Sequence, residues 1–396
     1  MGARGASGRS RAARSGAVTA EGAVTMKFLF ADSTTRGYGT EQHGVALAIA
    51  LARRGHTVRC VVRGGSSVEA ILRQSGVACI AVAPGAASSL RLVLRTIALA
   101  RRERPDWLVT GDGRFHSVFM GLRRLAGARV AFFRHWPVVP KSSRTRRMLA
   151  HRADRFILVS RFHREEYHRQ GMDVARAAVL YNPIDTDLFH PSVEWRARMR
   201  ARHGIGASDV LIGYAGRMVR EKGIFAMFEA LEPVLSEFEH ARVLWVGDGR
   251  DVDELRARVA GSAHATRHRF LDWQLDMAQF YPACDLIVVP SVGAETFGRV
   301  SVEAQSAGVP VIVTDAGGLR ETLIPGVTGL ITAAGDSSAL SAAVRELLAD
   351  AQRRERMGAA GRAWVCAHFA FAQIARDFEA LLGQEGPGEQ RFPTRE

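Results

Sequence analysis

The stretch ETFGRVSVEAQSAGVPVIVTDAGG, Glu295 to Gly318, sets two carboxylates, Glu295 and Glu303, on either side of a Phe-Gly pair. The segment before it, DLIVVPS, is apolar throughout, as a strand is when helices cover both faces of a parallel sheet. VGAETFG is then the exit loop of a buried strand, and RVSVEAQSAG is the helix that follows, ended by Gly308. Strand, loop, helix and strand form the unit of a doubly wound α/β sheet, whose ligands bind beyond the carboxyl ends of the strands. Glu295 falls in such a loop, and Glu303 about two turns along the helix. The amides of Phe297 and Gly298 lie at the positive helix end, where a diphosphate can rest. Glu303 is then placed to accept from a ribose diol, and Glu295 to grip sugar hydroxyls.

The same rhythm extends in both directions. From Met26, MKFLFA reads as a strand, and TEQHGVALAIALARRG as a helix with Val45, Ala48, Ile49 and Ala52 at helical spacing, ended by Gly55. HTVRCVV, DWLVTG, RVAFFR and RFILVS follow as strands, predicting one Rossmann-like domain over residues 26–189. NPIDTDLFHPSVEWRARMRARHG breaks the rhythm with two prolines and a basic helix, which places the connection at 190–205. DVLIGYAG, ARVLWVG, HRFLD, DLIVVPS, PVIVTD and TGLI predict a second parallel sheet over 206–365. An amphipathic helix over 366–383 is free to dock on either domain, including back across to the first. Residues 1–25 and 384–396 read as disordered tails. Two such domains face each other across a central cleft.

Composition narrows the class. The chain has 396 residues, 47% hydrophobic and 24% charged, which suits two or three soluble domains. No apolar run reaches the ~20 residues of a membrane span. Cys60, Cys79, Cys284 and Cys366 lie far apart in apolar surroundings, reading as buried thiols in a reducing compartment. The net charge of +14 attracts anions: nucleic acid, acidic lipid headgroups or phosphorylated substrates. Nucleic acid fits poorly, because the basic stretches lack interleaved aromatics and no recognised module is present. PKSSRTRRMLAHRADR, residues 140–155, reads equally as a solvated helix or as a contact with an acidic membrane face.

Two further strand-exit loops carry chemistry. In GYAGRMVREKG, Gly216 permits close backbone approach, and Arg217 and Lys222 set two cations before a helix. A planar guanidinium and a point charge suit phosphate. The Lys-Ser/Thr pair of a Walker loop is missing. In WVGDGRDVDEL, Gly247 and Gly249 allow backbone amides to face a ligand, while Asp251 and Asp253 complement the positive end of the following helix rather than hold a metal. Asp185 and Asp187 read the same way.

Taken together, GRMVREKG, VGDG, FLDWQLDMAQFYPACDLIVVPS, ETFGRVSVEAQSAGVPVIVTDAGGLRE and GVTGLI resemble the successive motifs of the family-4 retaining glycosyltransferases of the GT-B fold, with their Glu-x7-Glu signature at Glu295 and Glu303. The resemblance runs from Met26 to about Leu382, through GYGTEQHGVALAIALARRGHTV and NPIDTDLFHP, and is looser in the first half. It implies a hexosyltransferase that moves a sugar from a nucleotide-diphosphate sugar to an acceptor hydroxyl with retention. It implies Arg217 and Lys222 on the donor diphosphate, Glu303 on the ribose, and Glu295 with Phe297 and Gly298 around the donor sugar. His135, in FFRHWP, corresponds to a histidine near the reacting carbon, and Gly39 to the acceptor-side loop. Two departures stand out: Tyr38-Gly39 where the family often has Gly-Gly, and Asp272 where it often has glycine after FL. The expectation includes no metal and no cofactor. It also includes a glycan or lipid-linked acceptor in lipopolysaccharide or other bacterial envelope synthesis, and a cytoplasmic protein at the inner membrane face. A nucleotide-sugar epimerase of the same fold and a non-catalytic nucleotide-sugar-binding module are the alternatives.

Overall fold

The computed structural model describes residues 25–34, 42–272 and 277–383. The first sheet comprises β1 (Lys27–Asp32), β2 (Thr57–Arg63), β3 (Cys79–Val82), β4 (Trp107–Thr110), β5 (Arg129–Arg134), β6 (Arg155–Leu158) and β7 (Ala177–Val179), in the order 3-2-1-4-5-6-7. The second comprises β8 (Val210–Ala215), β9 (Ala241–Val246), β10 (His268–Leu271), β11 (Leu286–Val289), β12 (Val311–Thr314) and β13 (Gly329–Thr332), in the order 10-9-8-11-12-13. Every described pairing is parallel. This is the GT-B architecture of two Rossmann-like sheets. The central strands β4, β11 and β12 are buried at every position, which is why they read as unbroken apolar runs. β3 and β7 escape sequence reading. β3 is a half-exposed edge strand, and β7 has three residues, too few for any period.

The basic helix of the connection packs with the second domain. Val193–Arg202 packs on the helix Met277–Ala283, which flanks the second sheet. Arg196 and Arg200 bond Asp285 at 2.5 and 3.2 Å, and Arg200 also donates to the carbonyls of Gly206 and Asp209 at 2.6 and 2.5 Å. These two guanidiniums hold the domain to its entry helix rather than face an external anion.

The last helix, Phe371–Gly383, packs on the helix Gln42–Arg53 of the first sheet. Phe378 lies 6.1 Å from Phe28 and 5.9 Å from Phe133 between ring centres. Glu379 accepts from Arg54 Nε at 2.6 Å and is 2.9 Å from His56 Nε2. Residues Val45 to Leu51 are therefore buried on every side, where one apolar stripe was expected. Ile374, Phe378, Leu381 and Leu382 each contribute roughly 1.5–3 kcal/mol by leaving water. Among the described residues, no helix is long and apolar enough to cross a membrane.

The two domains also touch through residues outside their strands. Ser160 Oγ donates to the Thr296 carbonyl at 2.5 Å. The Glu321 carboxylate accepts the amides of Arg161 and Phe162 at 2.9 and 2.8 Å and the Tyr181 hydroxyl at 2.6 Å, so it caps the helix Arg161–Arg169 of the other domain.

Candidate active site

Strand order in the second sheet reverses between β8 and β11, the place where such sheets bind ligands. The loops leaving these neighbouring strands carry Lys222 and Glu295, and here the two meet. Lys222 Nζ donates to Glu295 Oε1, which also accepts from Ser291 Oγ at 2.7 Å. Their side chains are 25% and 18% exposed, so the pair is partly open to solvent at the carboxyl ends of these strands, where such sheets form their ligand crevice. Gly223 makes the approach feasible. Its φ is +72°, and a Cβ there would lie 1.7 Å from the Pro290 carbonyl oxygen.

The glycines of the two upper loops serve close packing. A Cβ on Gly247 would lie 1.9 Å from the Gly216 carbonyl oxygen, and one on Gly249 2.3 Å from that of Met218. Met218 donates its amide to the Asp248 carbonyl at 2.8 Å. Asp251 does not bond the first turn of its own helix; its carboxylate accepts the Arg220 amide at 2.8 Å and so steadies the turn that carries Lys222. Asp185 and Asp187 lie 3.0 and 3.7 Å from Arg53, away from this crevice. No group of three or more His, Cys, Asp or Glu able to hold a metal occurs among the described residues.

Below Glu295 the Gly317-Gly318 pair takes the same part. The Gly318 amide donates to the Glu295 carbonyl at 2.8 Å, and a Cβ on Gly318 would lie 2.5 Å from the Thr296 carbonyl oxygen. The Phe297 side chain points into the core against Tyr181 and Phe369, each 5.7 Å away. Only its backbone is available to a ligand. The helix Arg299–Ser306 begins after Gly298, whose φ is +119°. Glu303 is its fifth residue, nearer the start than two turns, and is buried. Its carboxylate accepts from Arg299 Nη2 at 2.8 Å and from Tyr281 Oη at 2.7 Å. Burial first, and then the Glu303 carboxylate, push the Tyr281 hydroxyl well above its ordinary range, so it stays a donor.

Arg217 is exposed and forms no ion pair among the described residues. On the first domain, His135 follows β5 and is buried beneath Gly111, with the His43 ring 5.0 Å away. Burial, then His43, His163, Arg134 and Arg299, hold its pKa well below the usual histidine range. The imidazole is neutral at pH 7, and Arg299 of the second domain is within its electrostatic reach. His43 is buried too, bonded to Asn182, with its pKa lowered to about 4 by burial. Asp272 is exposed just past β10. Gly39 lies outside the described residues. Sequence reasoning missed Tyr281, Arg299, Ser291 and Glu321. The available signal was Tyr281, a tyrosine inside the largely apolar segment MAQFYPA, since a buried phenol demands a partner.

Residues 196–364 match the family Glycosyl transferases group 1, and residues 38–188 match Glycosyltransferase Family 4. With these matches along both halves and two parallel Rossmann-like sheets, the chain belongs to the glycosyltransferases of the GT-B fold. It is 29% identical over 274 residues to the GDP-mannose-dependent alpha-(1-6)-phosphatidylinositol monomannoside mannosyltransferase of Mycolicibacterium smegmatis, covering 67% of this chain and 71% of that enzyme. It is 34% identical over 240 residues to the D-inositol 3-phosphate glycosyltransferase of Xylanimonas cellulosilytica, covering 57% of this chain and 54% of that one. HepE of Anabaena, solved with UDP and glucose, shares the fold at a TM-score of 0.77 and 23% identity, over 91% of this chain and 100% of that one.

Proposed function

We propose that this glycosyltransferase transfers a hexose from a nucleotide-diphosphate sugar to an acceptor hydroxyl with retention of anomeric configuration. One observation carries the reading: Lys222 and Glu295 converge beside the helix start at Gly298, where the strand order reverses. Breaking the glycosidic bond leaves an oxocarbenium-like centre and a diphosphate. Lys222, Arg217 and the amides behind Gly298 stabilise the departing charge, a preorganised arrangement that usually supplies the largest single part of such catalysis. Glu303, held by Tyr281 and Arg299, accepts from the ribose diol with its remaining lone pairs. Glu295 takes the hydroxyls of the donor sugar once Lys222 turns to phosphate. Neutral His135 accepts a sugar hydroxyl near the reacting carbon without adding positive charge there.

The cations take the place a metal would occupy, so transfer needs no divalent ion. The M. smegmatis and Xylanimonas relatives are named for acceptors bearing inositol phosphate. A phosphorylated or lipid-linked acceptor in envelope glycan synthesis also suits this basic chain. Exposed Lys141, Arg144 and Arg147 offer an acidic membrane surface a contact at the inner face.

The test is calorimetry with UDP, GDP, ADP and CDP, followed by transfer assays with the sugar nucleotides of whichever base binds, and product analysis by NMR. Expected are one preferred base and a product whose anomeric configuration matches the donor's. Inverted product overturns retention, and a donor converted without any acceptor points to epimerisation instead.

A further inference from the structure

We propose that Trp136 is a stacking platform for the ring of the acceptor, a pyranose or an inositol, at the mouth of the cleft. The inference rests on the reading that sugar transfer occurs between Glu295 and His135. Trp136 directly follows His135, and it is 64% exposed, whereas Trp107 and Trp245 lie in the core. An indole gains by leaving water, so a fold that leaves one exposed on a rigid support forgoes that gain.

The support is rigid. The Trp136 carbonyl accepts from His163 Nε2 at 2.8 Å and Tyr167 Oη at 3.1 Å. The Pro137 carbonyl accepts from Gln170 Nε2 at 2.8 Å, and the Val139 amide donates to Gln170 Oε1 at 3.0 Å. Burial lowers the His163 pKa to about 4, so at neutral pH the ring carries one hydrogen, and its Nε2 bond to Trp136 assigns that hydrogen. The main chain at 136–139 is pinned while the indole stays outside.

Its position is fixed relative to the second domain by a short relay. His163 bonds Trp136; the His163 amide donates to Ser160 Oγ at 2.9 Å; and Ser160 Oγ donates to the Thr296 carbonyl at 2.5 Å. Thr296 is the residue after Glu295. The Trp136 carbonyl, on the acceptor-side domain, is therefore three hydrogen bonds from the loop proposed to hold the donor sugar. The ring of a pyranose or inositol presents a C–H face that a flat aromatic surface covers. Tryptophan offers that surface at low entropic cost, with only two side-chain torsions to fix.

The experiment uses the full chain labelled with ¹⁵N at the indoles of its six tryptophans, with Trp136→Phe assigning one signal. The preferred nucleoside diphosphate is added first. Methyl α-D-mannopyranoside and myo-inositol 1-phosphate follow as ring probes, and phosphatidylglycerol vesicles form a separate arm. The Trp136 signal should move with a ring probe. Trp136→Ala should weaken that probe about tenfold and Trp136→Phe under about threefold, with nucleotide affinity unchanged. The side chain is exposed, so Trp136→Ala should fold with the melting profile of the wild type. A signal that moves only with vesicles makes Trp136 a membrane anchor and overturns the platform. So does a signal silent to every probe, or unchanged ring-probe affinity in Trp136→Ala. A wild-type protein that binds none of the four nucleotides sinks the transferase reading itself. Normal nucleotide binding with a silent Trp136 sinks only the platform.

Discussion

Replacing Glu295 by glutamine should tighten binding of the bare nucleoside diphosphate while lowering sugar transfer. In the unliganded protein Lys222 is in direct contact with the Glu295 carboxylate, with side chains 25% and 18% exposed. Opposite unit charges ~3 Å apart attract by about 5 kcal/mol at an effective dielectric of ~20. Desolvation and side-chain ordering take back most of that. Exposed pairs retain about 1 kcal/mol or less, while breaking a buried one costs more. The intermediate exposure here places the pair at roughly 1–2 kcal/mol. A diphosphate that recruits Lys222 must first overcome that attraction and then sit near the carboxylate. Glu295→Gln keeps the shape and the contact with Ser291 but removes the charge. Affinity for UDP or GDP, whichever the wild type binds, should rise about 5- to 30-fold. Lys222→Ala should instead lose affinity, and its turnover should fall on the order of a hundredfold or more. Titration calorimetry of the wild type, both single variants and the double variant closes the cycle. Equal or weaker diphosphate binding by Glu295→Gln would show that the pair does not compete with the ligand, and the division of roles between the two residues would fall with it.

Three further outcomes are expected. Gly223→Ala should unfold the Lys222 turn, because φ is +72° and the added Cβ would lie 1.7 Å from a carbonyl oxygen. A loss of at least ~2 kcal/mol with nucleotide binding abolished is expected. Gly121→Ala, in a helix with no atom within 4 Å of the new Cβ, should lose nothing; equal melting points for the two would refute the packing account. Glu379 supplies a pH dependence: burial pushes its carboxyl up, but His56 and Arg54 outweigh burial and hold the pKa at about 2 against 4.5. The stability this gives is complete above pH 4.5 and lost as pH falls toward 2, amounting to about 1–2 kcal/mol after screening. Chemical denaturation of wild type and Glu379→Gln should differ at pH 7 and converge near pH 2; a constant difference would remove the linkage. Finally, transfer should survive exhaustive EDTA treatment. Activity abolished by EDTA and restored by Mg²⁺ or Mn²⁺ would return the diphosphate to a metal.

Much of the architecture was open to sequence reading because both sheets are parallel and covered, so their central strands are apolar without alternation. The contact between Lys222 and Glu295 was not. It depends on β8 lying beside β11, and chain order alone does not set strand order. The course of the Phe297 ring was hidden for a related reason: its partners Tyr181 and Phe369, each 5.7 Å away, are far from it in the chain. The partner of the basic run Val193–Arg202 was equally hidden, because Asp285 is more than eighty residues away. Trp136 carried no periodic signal at all; its exposure appears only once the carbonyls around it are seen to be tied down.

The final helix has a consequence for how the chain is made. The helix Gln42–Arg53 is covered on its outer side by residues that emerge from the ribosome some 300 positions later. At ordinary rates of synthesis that leaves an apolar face bare for roughly 15–60 s. The first domain cannot finish folding until Phe371–Gly383 has been made. It must wait, partly closed, for that helix. A nascent protein in that state is a client for whatever binds apolar helices at the ribosome exit. Truncation before Phe371 would make the waiting state permanent.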